Sequence, residues 1–292
     1  MIKKESYIER RNRLKQRVTE GLILLPANHE SPFTSLDCTY PFRQDSTFLY
    51  FTGIDKPGLY FLIDSETGEE TLFGNENSSG GSFWGGRTLS LSDLCQKSGI
   101  EHHAPLESLD AVIDKAANSG RKVHYPPPYQ AGVLLKLMEL LKAGRKELAE
   151  QVSDELIKAV VALRSIKDEH EIKEIEAAIK ITSHMHSTAL IMAMPGAFER
   201  DIKGVLEGIA ISRGGAVAFQ PIITIRGDVL HNPSFVNTLE NGRFLVADIG
   251  AESSNHYASD ITRTIPVGRS FTRLQRNIYE IVLKANLEAI EA

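Results

Sequence analysis

A chain of 292 residues that is 42% hydrophobic and 24% charged is long enough for two domains and too apolar to stay disordered. Its net charge of −5 gives no electrostatic ground for a nucleic-acid partner, and its longest apolar runs, such as Leu22 to Pro26, are far too short to span a membrane. Two cysteines, Cys38 and Cys95, exclude a disulfide framework and a Cys-rich metal site, and the charged start lacks the apolar stretch of a secretory signal, so a cytoplasmic protein is expected.

Tyr7, Leu14 and Val18 fall at helical spacing among charges, with Gly21 placed to end that helix. Leu22 to Leu25 reads as a buried strand. Phe48 to Phe51 and Leu59 to Ile63 read as two more, with Gly53 and Pro57-Gly58 turning the chain between them. Ser65 to Gly68 predicts a hairpin tip leading into Thr71-Leu72-Phe73. Helices are expected near Ser90 to Lys97 and Ser108 to Ala117, then a strand from Lys122 to Tyr125 stopped by three prolines, then a helix from Val133 to Lys142. This alternation predicts an α/β domain over residues 1–150. A charged stretch between about Lys146 and Ile157 is the expected boundary, with a second domain over 158–292.

In that second part Ser165 is placed to cap a long helix containing Ile172, Ile175, Ile179 and Met185. Ile202, Val205, Leu206 and Ile209 form the apolar face of the next helix, which Gly214-Gly215 ends. From Ala216 onward strands are expected at Ile222 to Ile225, Phe235-Val236, Phe244 to Ile249 and Ile261 to Val267, with Asn241-Gly242 as a turn. Ile278, Ile281, Val282 and Ala285 predict a last helix that runs to Ala292 without a stop signal, so the chain is expected to break off within a domain.

The chemistry concentrates between Asp248 and Thr264. Asp248 closes an apolar strand, where a carboxylate is costly without a cation or several donors. Asp260 opens the next strand, and the polar Ser253 to His256 reads as the hairpin loop between them. Adjacent antiparallel strands can bring such side chains to one face, close enough to share a cation. Paired carboxylates suit Mn²⁺ or Mg²⁺, and imidazole ligands widen the choice to Zn²⁺, Co²⁺ or Fe²⁺. Spacing alone fits equally well a turn cap at Asp248 and a surface pair of Asp260 with Arg263. Among the histidines, His102 and His103 read as solvated residues of a polar connection, and His256 as an exposed loop residue. His184 and His186 stand at i, i+2 on a helix, which argues against a shared metal.

Asp248 followed by Asp260-Ile261-Thr262-Arg263-Thr264 resembles the metal-binding segment of the pita-bread metallopeptidases, which include aminopeptidase P, prolidase and methionine aminopeptidase. Leu230-His231-Asn232-Pro233 is similar to that family's Leu-His segment, and Arg164 to Glu169 to the lead-in of its catalytic domain. In the first part, Phe42 to Gly53 resembles the amino-terminal domain of aminopeptidase P, and Trp84-Gly85-Gly86-Arg87 that subfamily's Trp-x-Gly-Arg element.

The resemblance implies an α/β amino-terminal domain with a mixed sheet, followed by part of an α+β pita-bread catalytic domain. It implies an Xaa-Pro aminopeptidase, with an Xaa-Pro dipeptidase or a non-catalytic peptide-binding protein of the same fold as alternatives. Asp248 and Asp260 would bind two divalent metal ions, Mn²⁺ first and Zn²⁺, Co²⁺ or Fe²⁺ otherwise, His231 would assist catalysis, and Trp84 would contact substrate. Peptides with proline at the second position are the implied partners, and a homodimer the implied assembly. The family spaces its two aspartates one residue closer, and completes its site with a His and two Glu from a further stretch. Without them the chain by itself is expected to hold metal weakly and to be inactive.

Overall fold

The computed structural model describes residues 2–76, 89–229 and 231–292. The chain divides into two compact units, Ile2–Lys167 and Asp168–Ala292. Among the described residues no helix is long and apolar enough to cross a membrane.

The first unit is built on a mixed five-stranded sheet. Its strands are β1 (Leu22–Pro26), β4 (Tyr60–Asp64), β5 (Glu70–Gly74), β6 (His102–Pro105) and β7 (Val123–His124), in the order β6-β5-β4-β1-β7. β1–β4 and β4–β5 are antiparallel, whereas β7 and β6 join the two edges in parallel. Both faces of the sheet are covered, so its central strands read as continuous apolar runs rather than alternating ones. Ile23, Leu25, Phe61, Ile63 and Leu72 enter one core, and Leu22, Leu24, Tyr60, Leu62 and Phe73 the other. A small hairpin, β2 (Pro32–Ser35) with β3 (Cys38–Thr39), lies outside this sheet. His102 and His103 stand on β6 rather than in a connection, and both are exposed.

Helices α1 (Lys4–Lys15), α2 (Ser46–Thr52) and α3 (Leu91–Ser98) contribute to the first core, and α4 (Ser108–Asn118), α5 (Ala131–Leu141) and α6 (Arg145–Glu150) to the second. The segment Phe48 to Phe51, expected as a strand, is the body of α2. The Asp45 carboxylate accepts from the backbone N–H of Thr47 and Phe48 at 2.9 and 2.8 Å, which caps a helix start. Gly53 ends it at φ 66°, and a Cβ there would lie 2.3 Å from the Tyr7 ring. Helix α7 (Asp154–Ser165) packs into the first core through Leu156, Ala159 and Leu163, so residues 158–167 lie with the first unit. Ser165 is the last residue of α7. The cap of the following helix, α8 (Glu169–Met192), is Asp168, in a reciprocal box with Glu171.

Arg11 of α1 is fully buried and ties four elements together. Its guanidinium bonds the Glu70 carboxylate of β5 at 2.7 Å and donates to the carbonyls of Phe51, Ser98 and Gly99 at 3.0, 3.1 and 2.8 Å. Those carbonyls lie at the C-terminal ends of α2 and α3, where unpaired acceptors favour a cation.

The second unit pairs α8 and α9 (Glu199–Ser212) with an antiparallel sheet of β8 (Ile222–Thr224), β9 (Phe244–Ile249) and β10 (Ile261–Pro266), ordered β10-β9-β8. Met185, Ala189, Ile202 and Leu206 of the helices meet Ile223, Leu245, Ala247 and Ile249 of the sheet in one core. Phe235-Val236 does not form a strand among the described residues. Its neighbourhood is irregular, with one bridge between Phe198 and Thr238. A last helix, α10 (Arg273–Glu291), starts at a Thr272 cap shared with Gln275.

Replacing Glu70 by Ala leaves the Arg11 charge buried without its counter-ion. The expected loss is about 3–5 kcal/mol of stability for the first unit. Urea unfolding of E70A beside the parent chain measures it, and a loss below about 1 kcal/mol would mean the three carbonyls alone satisfy Arg11.

Candidate metal centre

β9 alternates strictly: Leu245, Ala247 and Ile249 are buried, while Phe244, Val246 and Asp248 face the open side. Asp248 is therefore kept out of the core by the same period that buries its neighbours. Across the pair, Thr262 stands opposite Asp248 and Ile261 opposite Ile249. Further on, Glu252 bridges Ala258 at the same offset, beyond a short interruption of the ladder, which sets Asp260 opposite Gly250. Asp248, Asp260 and Thr262 thus share the open face. The Thr262 hydroxyl donates to Asp248 Oδ1 at 2.8 Å, and the two carboxyl groups lie within hydrogen-bonding reach of each other.

The hairpin closes over Ser254, Asn255 and His256. The Ser253 N–H donates to Tyr257 O at 2.8 Å, and His256 takes the left-handed conformation at φ 61°. This is the three-residue loop whose last position usually holds glycine. His256 is not a free loop residue: its Nδ1 contacts Glu252 Oε2 at 2.8 Å, and its side chain is 16% exposed. Glu174 of α8 accepts from the Ser253 hydroxyl and the Asn255 amide at 2.9 and 2.8 Å, anchoring the tip.

His231 is exposed in the stretch that follows β8. Glu199, buried in the first turn of α9, brackets that stretch. Its carboxylate accepts from the Ile225 N–H at 2.8 Å, and from the Asn237 N–H and side-chain amide at 3.2 and 2.9 Å. Among the described residues His231 itself bonds to neither aspartate. Leu230 and Trp84, both singled out by sequence, lie outside the described residues. A cleft of about 600 Å³ lies between β10 and α10, lined by Thr262 and Thr264 from the strand and by Ile278, Tyr279, Val282 and Leu283 from the helix; neither carboxylate is part of its lining.

Sequence reasoning gave no role to Glu199, Thr262 and Thr182, and set His186 aside as a metal ligand. Only Thr262 carried a local signal, standing inside the Asp-Ile-Thr-Arg-Thr run. The others act on backbone 26 to 75 residues away, a distance at which no local pattern reports.

Neither carboxylate pairs with a cation among the described residues; Arg263 donates to the Thr262 carbonyl instead of joining Asp260. The Asp260 pKa is held above the ordinary carboxylate value by partial desolvation, then by the Asp248 charge and their shared hydrogen bond. A carboxyl pair strained in this way is a natural seat for a hard cation, which removes the repulsion.

Residues 7–125 match the family model "Aminopeptidase P, N-terminal domain", and residues 173–292 match "Metallopeptidase family M24". An Xaa-Pro aminopeptidase from Haemophilus influenzae is 30% identical over 302 residues, covering 99% of this chain and 67% of that protein. The chain belongs to the Xaa-Pro aminopeptidase family. A second Xaa-Pro aminopeptidase, from Escherichia coli, is 27% identical with 97% and 67% covered. The solved structure of an E. coli aminopeptidase P variant in complex with substrate superposes with a TM-score of 0.83 at 26% identity, covering 97% of this chain and 67% of that one. Proline aminopeptidase P II from Yersinia pestis shares the fold with a TM-score of 0.85 at 24% identity, over 99% and 68%. The chain thus spans about two thirds of the length of these relatives.

Membership in this family of metal-dependent hydrolases implies a two-metal site. Asp248 and Asp260 fit it as carboxylate donors side by side on an open face. Among the described residues no group of three or more His, Cys, Asp and Glu side chains is placed to hold an ion.

Replacing Asp248 by Asn in the metal-free protein is expected to lower the Asp260 pKa. Because the folded value is raised, the stability Asp260 contributes is full below the ordinary carboxylate pKa and lost as pH rises through the folded value. D248N should therefore gain stability relative to the parent above that window. NMR titration of the Asp260 carboxyl carbon reads the shift, and an unchanged pKa would mean that the two groups do not interact.

Proposed function

We propose that the protein of which this chain forms two thirds of the family length is a two-metal Xaa-Pro aminopeptidase, and that Asp248 and Asp260 are metal ligands. The observation that carries the reading is the pairing of these carboxylates on the open face of the β9–β10 hairpin, inside an Asp-Ile-Thr-Arg-Thr run.

Two divalent ions bound there supply a water of lowered pKa and a Lewis acid for the scissile carbonyl. Asp248 and Asp260 would bind them from one side. Thr262 would keep Asp248 oriented through its hydroxyl, leaving the second carboxylate oxygen to turn toward an ion. His231, held on a stretch fixed at both ends by Glu199, would orient the substrate amide or carbonyl. The cleft beside β10 gives a peptide room to approach. Mn²⁺ is the expected ion, since the donors in place are carboxylates. The substrates would be peptides with proline second, which lack an amide N–H at the scissile bond and present a fixed ring to a dedicated pocket. We place the enzyme in the cytoplasm as a homodimer, with Trp84 in contact with substrate.

Two aspartates offset two of the four positive charges that a pair of divalent ions brings. The 292-residue chain alone is therefore expected to hold metal weakly and to leave Xaa-Pro-Xaa tripeptides uncleaved. A chain extended by about 150 residues should bind close to two metal ions and release the N-terminal residue. D248N and D260N in that extended chain should each cost on the order of 10³-fold in kcat/KM. Metal content and tripeptide hydrolysis, measured together, decide it. An extended chain with neither metal nor activity sinks the reading, and cleavage of dipeptides alone would redirect it to an Xaa-Pro dipeptidase.

A further inference from the structure

Asp260 stands beside Asp248 although the two charges repel, so something must hold its backbone in place. The residues on either side of it are both gripped by one stripe of α8. Thr182 and His186 lie four apart on that helix and so share a face. The Thr182 hydroxyl meets the Ser259 hydroxyl at 2.7 Å and accepts from the Ala251 N–H at 3.0 Å. The Ser259 hydroxyl in turn contacts Ala251 O at 3.0 Å. On the other side, His186 Nε2 lies 2.8 Å from Ile261 O.

A carbonyl can only accept, so the proton sits on Nε2. Nδ1 is enclosed and has no partner among the described residues. Burial holds the imidazole's pKa below its usual value, which keeps it in this neutral, single-donor form. Ile261 is the first residue of β10 and pairs with Ile249 of β9, so the imidazole is a further donor, reaching this carbonyl from the helix at the point where the strand begins.

We propose that His186 is a positioning residue of the metal centre: by donating to the Ile261 carbonyl it fixes the peptide that follows Asp260, and with Thr182 it keeps the Asp260 carboxylate at coordinating distance from Asp248. It touches neither ion nor substrate. The proposal rests on the two-metal reading, and it adds a helix residue 62 and 74 positions before the two ligands, as the numbering of the chain gives. Groups that orient metal ligands from outside typically change affinity by about 10–100-fold when removed.

The test uses the extended chain and Mn²⁺ alone, with free ion followed by electron paramagnetic resonance. His186→Leu should weaken Mn²⁺ binding about 10-fold or more. His186→Gln, whose side-chain amide can present a donor at the place of Nε2, should bind within about threefold of the parent. Thermal unfolding of both variants guards against a general loss of structure, which would move H186L and H186Q alike. Parent-like affinity in H186L overturns the proposal, as does an equal loss in both variants. Absence of Mn²⁺ binding by the parent instead overturns the two-metal reading, and this inference with it.

Discussion

The registration of β9 against β10 is the constraint on which the carboxylate pair of the candidate metal centre depends. Cross-strand partners from Phe244↔Pro266 to Glu252↔Ala258 keep a single offset through the hairpin. Positions 248, 260 and 262 therefore fall on one face, and a slip by one residue would turn Asp260 toward the core. Gly250, opposite Asp260, helps to hold that offset. A Cβ there would lie 1.9 Å from Ser259 O, so no other residue lets the two strands approach as closely. The loop absorbs its full length through His256 in the left-handed conformation, a strained state for a non-glycine residue, held by the bond to Glu252. Loop, register and carboxylate pair are one object.

Most of the fold was legible because its signals are local. The buried strands, the hairpin at Ser65 to Gly68 and the helices from Ser108, Val133 and Ile202 follow from period and turn chemistry. Phe48 to Phe51 misled because a short apolar run with aromatics fits strand and helix alike. What decides it is the Asp45 cap and the left-handed Gly53, with the Tyr7 ring packed against the glycine. The start of α8 misled for a related reason. Ser165 and Asp168 are both good caps, but Asp168 has Glu171 three residues on, and the reciprocal bonds between them fix the helix start.

The carboxylates were legible as residue types and as a spacing, yet their pairing was not. Spacing allowed Asp260 to join Arg263 just as well. In the fold Thr262 takes Asp248, Arg263 turns to its neighbour's carbonyl, and the two carboxyls are left to each other. The supporting residues were hidden further. Glu199 in a first turn reads as a favourable charge near a helix N-terminus, and only the fold reveals that it clasps Ile225 and Asn237. His186, set aside because His184 could not share a metal with it, works on a backbone carbonyl instead.

Three charged clusters elsewhere find their hydrogen-bond partners within the fold. Arg11 has Glu70 and three carbonyls, Glu199 has three donor groups, and Glu171 closes the Asp168 box. These arrangements satisfy each group within the fold and leave nothing to bind a ligand. Asp248 and Asp260 differ in kind. They are brought together by register, gripped by α8, and left with a mutual repulsion that no cationic side chain among the described residues relieves. A fold that uses Gly250, a left-handed His256 and a helix stripe to hold two like charges side by side leaves their repulsion for a cation to remove. The cost sits where the chemistry is expected, and it is the physical reason for reading this hairpin as a metal centre rather than as a surface turn.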